Sequence, residues 1–388
     1  MNILVYFENI INPITGGTER AAYNLSSALQ SIGHKVITLA KRKGQKNIVF
    51  PVFYLPNESD LLNMENIKFI EALCIEKSID IIINEGGNTS DVQLFNNNIL
   101  NIKAKIITCL HFSPYQGYDK YYYSDILIKS LKDWGRFFKM PYNKHNALQL
   151  FKHNYKIALE YTNAFVVLND SFKDDIIKIT NSPINYSRIV TIPNINTIYP
   201  SNKNLSEKDN LILYVGRLQY NTKRVDRLLK SWKLIEHKLP DWTLNILGDG
   251  PDRQWYEDFT KKLKLNRVSF EGLVNPVEYY KKAKIVCLVS THESFGMTLV
   301  EGMAYGCVPI VYHSYPTASE ILDMGQCGIL VQPFDIADYA TKLYDLINDV
   351  DRYDYLSDQA TKKSLEYTSS RIIEKWDRLF NELYPDGH

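Results

Sequence analysis

Short apolar runs alternate with helix-length amphipathic stretches along most of this sequence, and the alternation starts at once. Asn2–Phe7 (NILVYF) reads as a strand. Residues 18–33 follow, with Ala21, Leu25, Leu29 and Ile32 at helical spacing and Gly33 as a stop. Residues 36–39 read as a strand, 61–77 as a helix, and 79–83, 104–110 and 164–168 as further strands. Strands separated by helices of this length predict a parallel sheet with helices on both faces.

The pattern breaks at 193–210, which is polar, rich in asparagine and holds two prolines. A second series then begins: strands at 211–215, 242–247, 268–270, 285–289 and 308–311, with helices at 226–237 and 255–263. No tandem repeat relates the halves. A chain of 388 residues is too long for one ordinary core. The expectation is an α/β chain of two Rossmann-like domains, 1–200 and 201–369. A closing segment, 370–388, carries Ile372, Ile373, Trp376, Leu379 and Phe380 on one helix face, which must dock somewhere.

Composition narrows the function classes. The formal charge of +1 argues against a general nucleic-acid binder. The five cysteines (Cys74, Cys109, Cys287, Cys307, Cys327) are odd in number and include no CxxC, which fits reduced thiols in a cytosolic protein. No leader is read at the start and no apolar run approaches the roughly 18 residues needed to span a bilayer.

Open parallel sheets bind ligands at the carboxyl ends of their strands. Three places there draw notice. Gly16-Gly17-Thr18-Glu19 opens the first helix, and paired glycines at a helix start let amides approach an anion. Gly216-Arg217-Leu218 leaves the first strand of the second series, with Lys223 six residues on; a forked guanidinium and an ammonium together suit a diphosphate. Third is Glu293-Ser294-Phe295-Gly296-Met297-Thr298-Leu299-Val300-Glu301. Glu293 falls in a strand-to-helix turn. Glu301 falls on the helix among apolar residues, where a carboxylate is costly without partners. Hydroxyls are suitable donors to both acids, and the amides of Met297, Thr298 and Leu299 at the helix start suit phosphate oxygens. No GxGxxG and no Walker A sequence occurs, which counts against a dehydrogenase or an NTPase. Asp349-Val350-Asp351 mimics a metal-binding DxD but lies far along the chain from these places.

The ordered set resembles the retaining GT-B glycosyltransferases of family 4. The two glutamates with seven residues between them, phenylalanine-glycine among those, carry the likeness. Gly16-Gly17 with Gly33-His34-Lys35-Val36, His111 after Cys109-Leu110, Ile192-Pro193-Asn194, Gly216-Arg217-Leu218 with Lys223, Gly248-Asp249-Gly250-Pro251 and Gly306-Cys307-Val308-Pro309 extend it over nearly the whole chain. Departures are Arg224 where glycine is common, Gly302 where alanine is common, Asn196 for an acid, and Ser314–Glu320 without the frequent glycine pair.

The resemblance implies two domains facing each other across a cleft, with the final helix crossing back to the first. It implies transfer of a sugar from a nucleotide diphosphate, expected to be a UDP-sugar, with retention. His111, Arg217, Lys223 and Glu293 would be catalytic. Gly16, Gly17, Leu273, Phe295, Gly296, Met297, Thr298, Leu299 and Glu301 would bind the donor, with Glu301 on the ribose and Glu293 on the sugar. No metal and no further cofactor is required. The acceptor is expected to be a glycan or a lipid-linked glycan of cell-envelope synthesis. Residues 112–144 are basic and dense in aromatics; 101–160 holds ten Lys/Arg against four Asp/Glu. This stretch could wall the acceptor site or touch an anionic membrane from the cytoplasmic side. Epimerases and phosphorylases share the architecture and remain alternatives, as does a non-catalytic sugar-binding relative.

Overall fold

A computed structural model describes residues 1–13, 16–43, 49–87, 89–115, 131–200 and 208–385. The chain forms two compact units, Met1–Ile195 with Ser369–His388, and Asn196–Thr368. The crossing falls at 195/196 rather than 200/201 because Ile195 is buried in the first unit's core. Asn196 belongs to the second unit: its amide bonds the Tyr367 carbonyl at 2.9 Å, and it bridges to Thr368.

In the first unit, β1 (Asn2–Phe7), β2 (Lys35–Ala40), β3 (Val52–Tyr54), β4 (Ile81–Asn84), β5 (Lys105–Leu110), β6 (Ala164–Val167) and β7 (Ile189–Thr191) make one sheet in the order 3-2-1-4-5-6-7. Every pairing is parallel. The strands are largely apolar because both faces are covered. Ile3 and Val5 enter one core, Leu4 and Tyr6 the other. Helices α1 (Gly17–Ser31), α2 (Met64–Glu76), α3 (Leu131–Tyr161) and α4 (Asp170–Thr180) connect the strands.

The second unit repeats the plan. Strands β8 (Asp209–Val215), β9 (Thr243–Leu247), β10 (Val268–Gly272), β11 (Ala283–Leu288), β12 (Val308–Tyr312) and β13 (Ile329–Val331) pair in the order 10-9-8-11-12-13, all parallel. Its helices are α5 (Tyr220–Lys223), α6 (Val225–Ile235), α7 (Arg253–Lys262), α8 (Val277–Lys282), α9 (Met297–Ala304), α10 (Pro316–Ile321), α11 (Ile336–Asn348) and α12 (Val350–Ser364). The strand order reverses direction between β1 and β4 and again between β8 and β11. Ligands of open α/β sheets bind at such points.

The last helix, α13 (Ser369–Leu383), returns to the first unit. Ile372, Ile373, Trp376, Leu379 and Phe380 join the same core as Ile3 and Val5. Burying each such side chain is worth about 1.5–3 kcal/mol, so this helix is integral to that unit.

Several elements have no counterpart in the periodicity: the three-residue strands β3, β7 and β13, and the helices α3, α11 and α12. The DxD-like sequence proves to be a helix start. The Asp349 carboxylate accepts the Arg352 amide at 3.0 Å and caps α12. All five cysteines are buried and free.

Candidate active site

The second unit gathers most of the candidate residues at the carboxyl edge of its sheet. Past β8 the chain turns through Gly216-Arg217-Leu218 against the turn after β9. A Cβ on Gly248, whose φ is +127°, would stand 2.0 Å from the Gly216 carbonyl oxygen. The Leu218 amide bonds the Asp249 carbonyl at 2.9 Å. The Gly248-Asp249-Gly250 sequence is thus a close backbone contact that fixes the Arg217 turn. Arg217 itself is exposed and makes no ion pair among the described residues.

Lys223 ends the short helix α5, and Arg224 follows at φ +47°. A left-handed non-glycine residue costs about 1–2 kcal/mol. The Arg224 side chain offsets that cost locally. Its Nε reaches Asp226 Oδ1 at 3.0 Å, and its guanidinium lies 4.7 Å from the Tyr220 ring centre. The departure from glycine is therefore built into the turn that presents Lys223.

Glu293 lies in the turn between β11 and α9, and it meets Lys223 directly. Lys223 Nζ donates to Glu293 Oε1 at 2.5 Å, and Ser290 Oγ donates to the same oxygen at 2.6 Å. The two turns are tied behind this pair: the Thr291 amide bonds the Thr222 carbonyl at 2.9 Å, and Arg227 Nη1 donates to Thr291 Oγ1 at 3.2 Å. Two residues read separately from the sequence, one for phosphate and one for sugar, thus form one ion pair.

Gly296 takes φ +89°, a conformation that side chains rarely adopt, and begins α9. Phe295 is buried, its ring edge-on to Tyr367 at 5.4 Å. The Leu299 amide bonds the Gly296 carbonyl at 2.9 Å. Of the three amides expected to face an anion, those of Met297 and Thr298 remain. Glu301 is fully buried on α9 and accepts a 2.9 Å hydrogen bond from the Tyr280 hydroxyl. Leu273 stands just past β10 at the same sheet edge and is 83% exposed.

In the first unit, His111 leaves β5 and Glu85 leaves β4. These strands are neighbours, with Asn84 opposite Thr108. His111 Nε2 and Glu85 Oε2 form a buried ion pair. Burial works to lower the imidazole's pKa. The Glu85 carboxylate outweighs it by charge and hydrogen bond, with smaller contributions from Asn194 and Glu19, and the net direction is up. Glu85 was absent from the candidates read from sequence. Its signal was an acid directly after the apolar run Ile81-Ile82-Ile83, before Gly86-Gly87.

Gly16 is the first residue before α1, and Gly17 begins it. A Cβ on Gly16 would stand 2.5 Å from a Glu19 carboxylate oxygen, whereas one on Gly17 would meet open space. The Glu19 carboxylate therefore already lies over this helix start. Ile14 and Thr15 lie outside the described residues, as do 116–130 of the basic aromatic stretch. Of that stretch, Trp134 and Tyr142 are exposed on α3.

Residues 196–363 match the family described as glycosyl transferases group 1. An uncharacterized glycosyltransferase of Haemophilus influenzae is 26% identical, over 93% of this chain and 95% of its own length. The amylovoran biosynthesis glycosyltransferase AmsD of Erwinia amylovora is 24% identical, over 98% of this chain and 99% of its own. Among solved structures, a mutant of S. aureus TarM in complex with Fondaparinux, alpha-GlcNAc-glycerol and UDP superposes at a TM-score of 0.73 and 14% identity. That match covers 98% of this chain and 99% of TarM.

Proposed function

We propose that this chain, which matches the glycosyl transferases group 1 family over residues 196–363 and shares the GT-B fold, is a glycosyltransferase that moves a sugar from a UDP-sugar to a glycan or lipid-linked acceptor of the cell envelope, with retention of configuration. The observation that carries this reading is the meeting of Lys223 and Glu293 beside the β8/β11 reversal, with Arg217 exposed at the end of β8. Arg217 and Lys223 neutralise charge that grows on the departing diphosphate. One such group is worth roughly 3 kcal/mol of barrier. Glu301 holds the ribose and Glu293 the transferred sugar, while the Met297 and Thr298 amides face phosphate oxygens. The diphosphate takes the acceptor proton on the face it leaves, so neither acid acts as an in-line base. The cations do the work that a metal does elsewhere, and the reaction proceeds without one.

A UDP donor is supported by the UDP bound to TarM. A glycan acceptor is supported by AmsD's description as an amylovoran biosynthesis glycosyltransferase. The basic stretch 112–144 gives peripheral contact with an anionic membrane from the cytoplasmic side; undiminished vesicle binding after Lys129, Lys132 and Arg136 are changed to glutamate would remove that part. No helix among the described residues is long and apolar enough to cross a membrane.

The test is UDP release from an α-linked UDP-sugar with and without acceptor, followed by NMR of the product. Acceptor-dependent release and an α-glycoside are expected. A β-glycoside would overturn retention, and release with no glycoside formed would overturn transfer.

A further inference from the structure

The Glu85–His111 pair is the feature that the donor-side chemistry leaves unused. Both partners are buried, the carboxylate completely at its side chain. A buried charge without a partner is expensive, and each of these two groups has the other. Asn194 and Glu19 also favour the charged state. Glu19 on α1 adds negative charge, and the Cys109 thiol beside Glu85 is pushed well up by burial first and by Glu85 next, so it stays neutral. The remaining neighbours are Asn194 and apolar or aromatic side chains, among them Leu110, Val166 and Trp376.

Geometry separates the two ring nitrogens. Nε2 is taken by Glu85. Nδ1 is buried and makes no hydrogen bond of ordinary geometry among the described residues; the Asn194 side chain, which favours the charged ring, lies on the same cavity. His111, Asn194, Cys109 and Trp376 line a cavity of about 20 Å³, which is room for about one water. A histidine acting as a general base needs a free lone pair within reach of the proton it takes. The nitrogen bonded to Glu85 lacks one. The other carries a proton for as long as the ring is charged.

We propose that Glu85 is a positioning residue, which holds His111 by Nε2 in the protonated state, so that His111 serves as a fixed cation with Nδ1–H turned to the one-water cavity and does not act as a base. This rests on the reading of His111 as a residue at the reacting centre. It deepens that reading by assigning a charge state to the histidine and a role to an acid that the sequence motifs do not contain. It also bears on stereochemistry, because a charged His111 cannot supply the deprotonation that inversion requires.

The linkage has a definite sign. His111 is raised above its ordinary value, so its charge is complete below pH about 6.5 and is lost only as pH rises through the folded-state value. Activity that needs the charge falls on the alkaline side. Activity that needs a base would instead fall on the acid side.

The experiment titrates His111 by NMR in ring-labelled protein, with the resonance assigned by its loss in His111→Gln, and measures kcat against pH for wild type, Glu85→Gln and Glu85→Asp. In wild type His111 should be protonated at neutral pH. In Glu85→Gln its midpoint should drop by about one pH unit or more, the alkaline limb of kcat should move down by the same amount, and donor KM should stay within about twofold. Glu85→Asp should restore part of the shift. A neutral His111 at pH 7 in the wild type overturns the proposal without any variant that must fold. So does an unmoved midpoint in Glu85→Gln. A midpoint that moves while the kcat profile stays put means that Glu85 sets the charge but His111 is away from the reacting centre, which overturns the reading beneath the proposal instead.

Discussion

Removing the charge of Glu293 should tighten nucleotide binding while it slows transfer. Lys223 Nζ sits 2.5 Å from Glu293 Oε1, and the Lys223 and Glu293 side chains are 24% and 13% exposed. A diphosphate that recruits Lys223 must compete with this carboxylate. Two unit charges about 4 Å apart interact by about 4 kcal/mol at the effective dielectric of a protein surface, and a hydrogen bond to a charged group is worth about 1.5–3 kcal/mol net. Partial exposure of both partners lowers the net value toward about 1 kcal/mol. An estimate of about 1–2 kcal/mol for the competition follows, or roughly 5- to 30-fold in affinity. Glu293→Gln keeps the shape and the Ser290 contact but removes the charge. Calorimetry with UDP should therefore show tighter binding by about that factor, and the gain should shrink as salt rises. Turnover should drop at the same time, because the sugar loses its carboxylate. If Glu293→Gln, with an unchanged Tm, binds UDP no better than wild type, Lys223 does not leave Glu293 for the diphosphate, and the proposed division of labour between them fails.

Three further outcomes follow from the same geometry. Arg217→Ala and Lys223→Ala should each lower kcat by about 100-fold with little change in Tm; near wild-type turnover at saturating donor in either variant would remove that residue from the phosphate role. Transfer should persist in excess EDTA, and loss on chelation that magnesium or manganese restores would require a metal. Trp376→Ala should destabilise the first unit by about 3–5 kcal/mol, since the side chain is buried in the core of β1 and α1; a shift of Tm too small to register would mean that α13 is a loosely attached tail.

The sheets were legible because their strands are buried on both sides. A run such as Asn2–Phe7 has no polar face to confuse the reading, and its extent in the structure is the same six residues. The helix face around Trp376 was legible for the converse reason: five large apolar side chains on one stripe exclude a solvent-exposed helix. Glu301 was legible as an inward acid because its neighbours on α9 are almost all apolar, and it is fully buried. The short strands were not legible. β3, β7 and β13 have three residues each, too few for a period of two to register, and their pairing with β2, β6 and β12 supplies what their own sequence does not. The helix α3 was obscured by Pro141, which lies inside it and normally argues for a break.

The site divides along the same line. Each half of the Lys223–Glu293 pair was named from a local motif, yet the pairing itself spans 70 residues of sequence and depends on β8 and β11 being neighbours. That adjacency arises because the chain returns past β9 and β10 to the other side of β8, and no single motif encodes the return. Glu85 shows the stronger form of the limit. As a sequence letter it is one acid after an isoleucine run, equally suited to a solvated turn. It becomes a partner only when parallel pairing sets β4 beside β5 and brings the residue past Asn84 to the one histidine that leaves the same sheet edge. A motif search finds residues whose neighbours in sequence are also their neighbours in space. Glu85 and His111 are 26 residues apart, so their pairing, on which the proposed charge state of the histidine rests, is set by the sheet and not by the motif that flagged it.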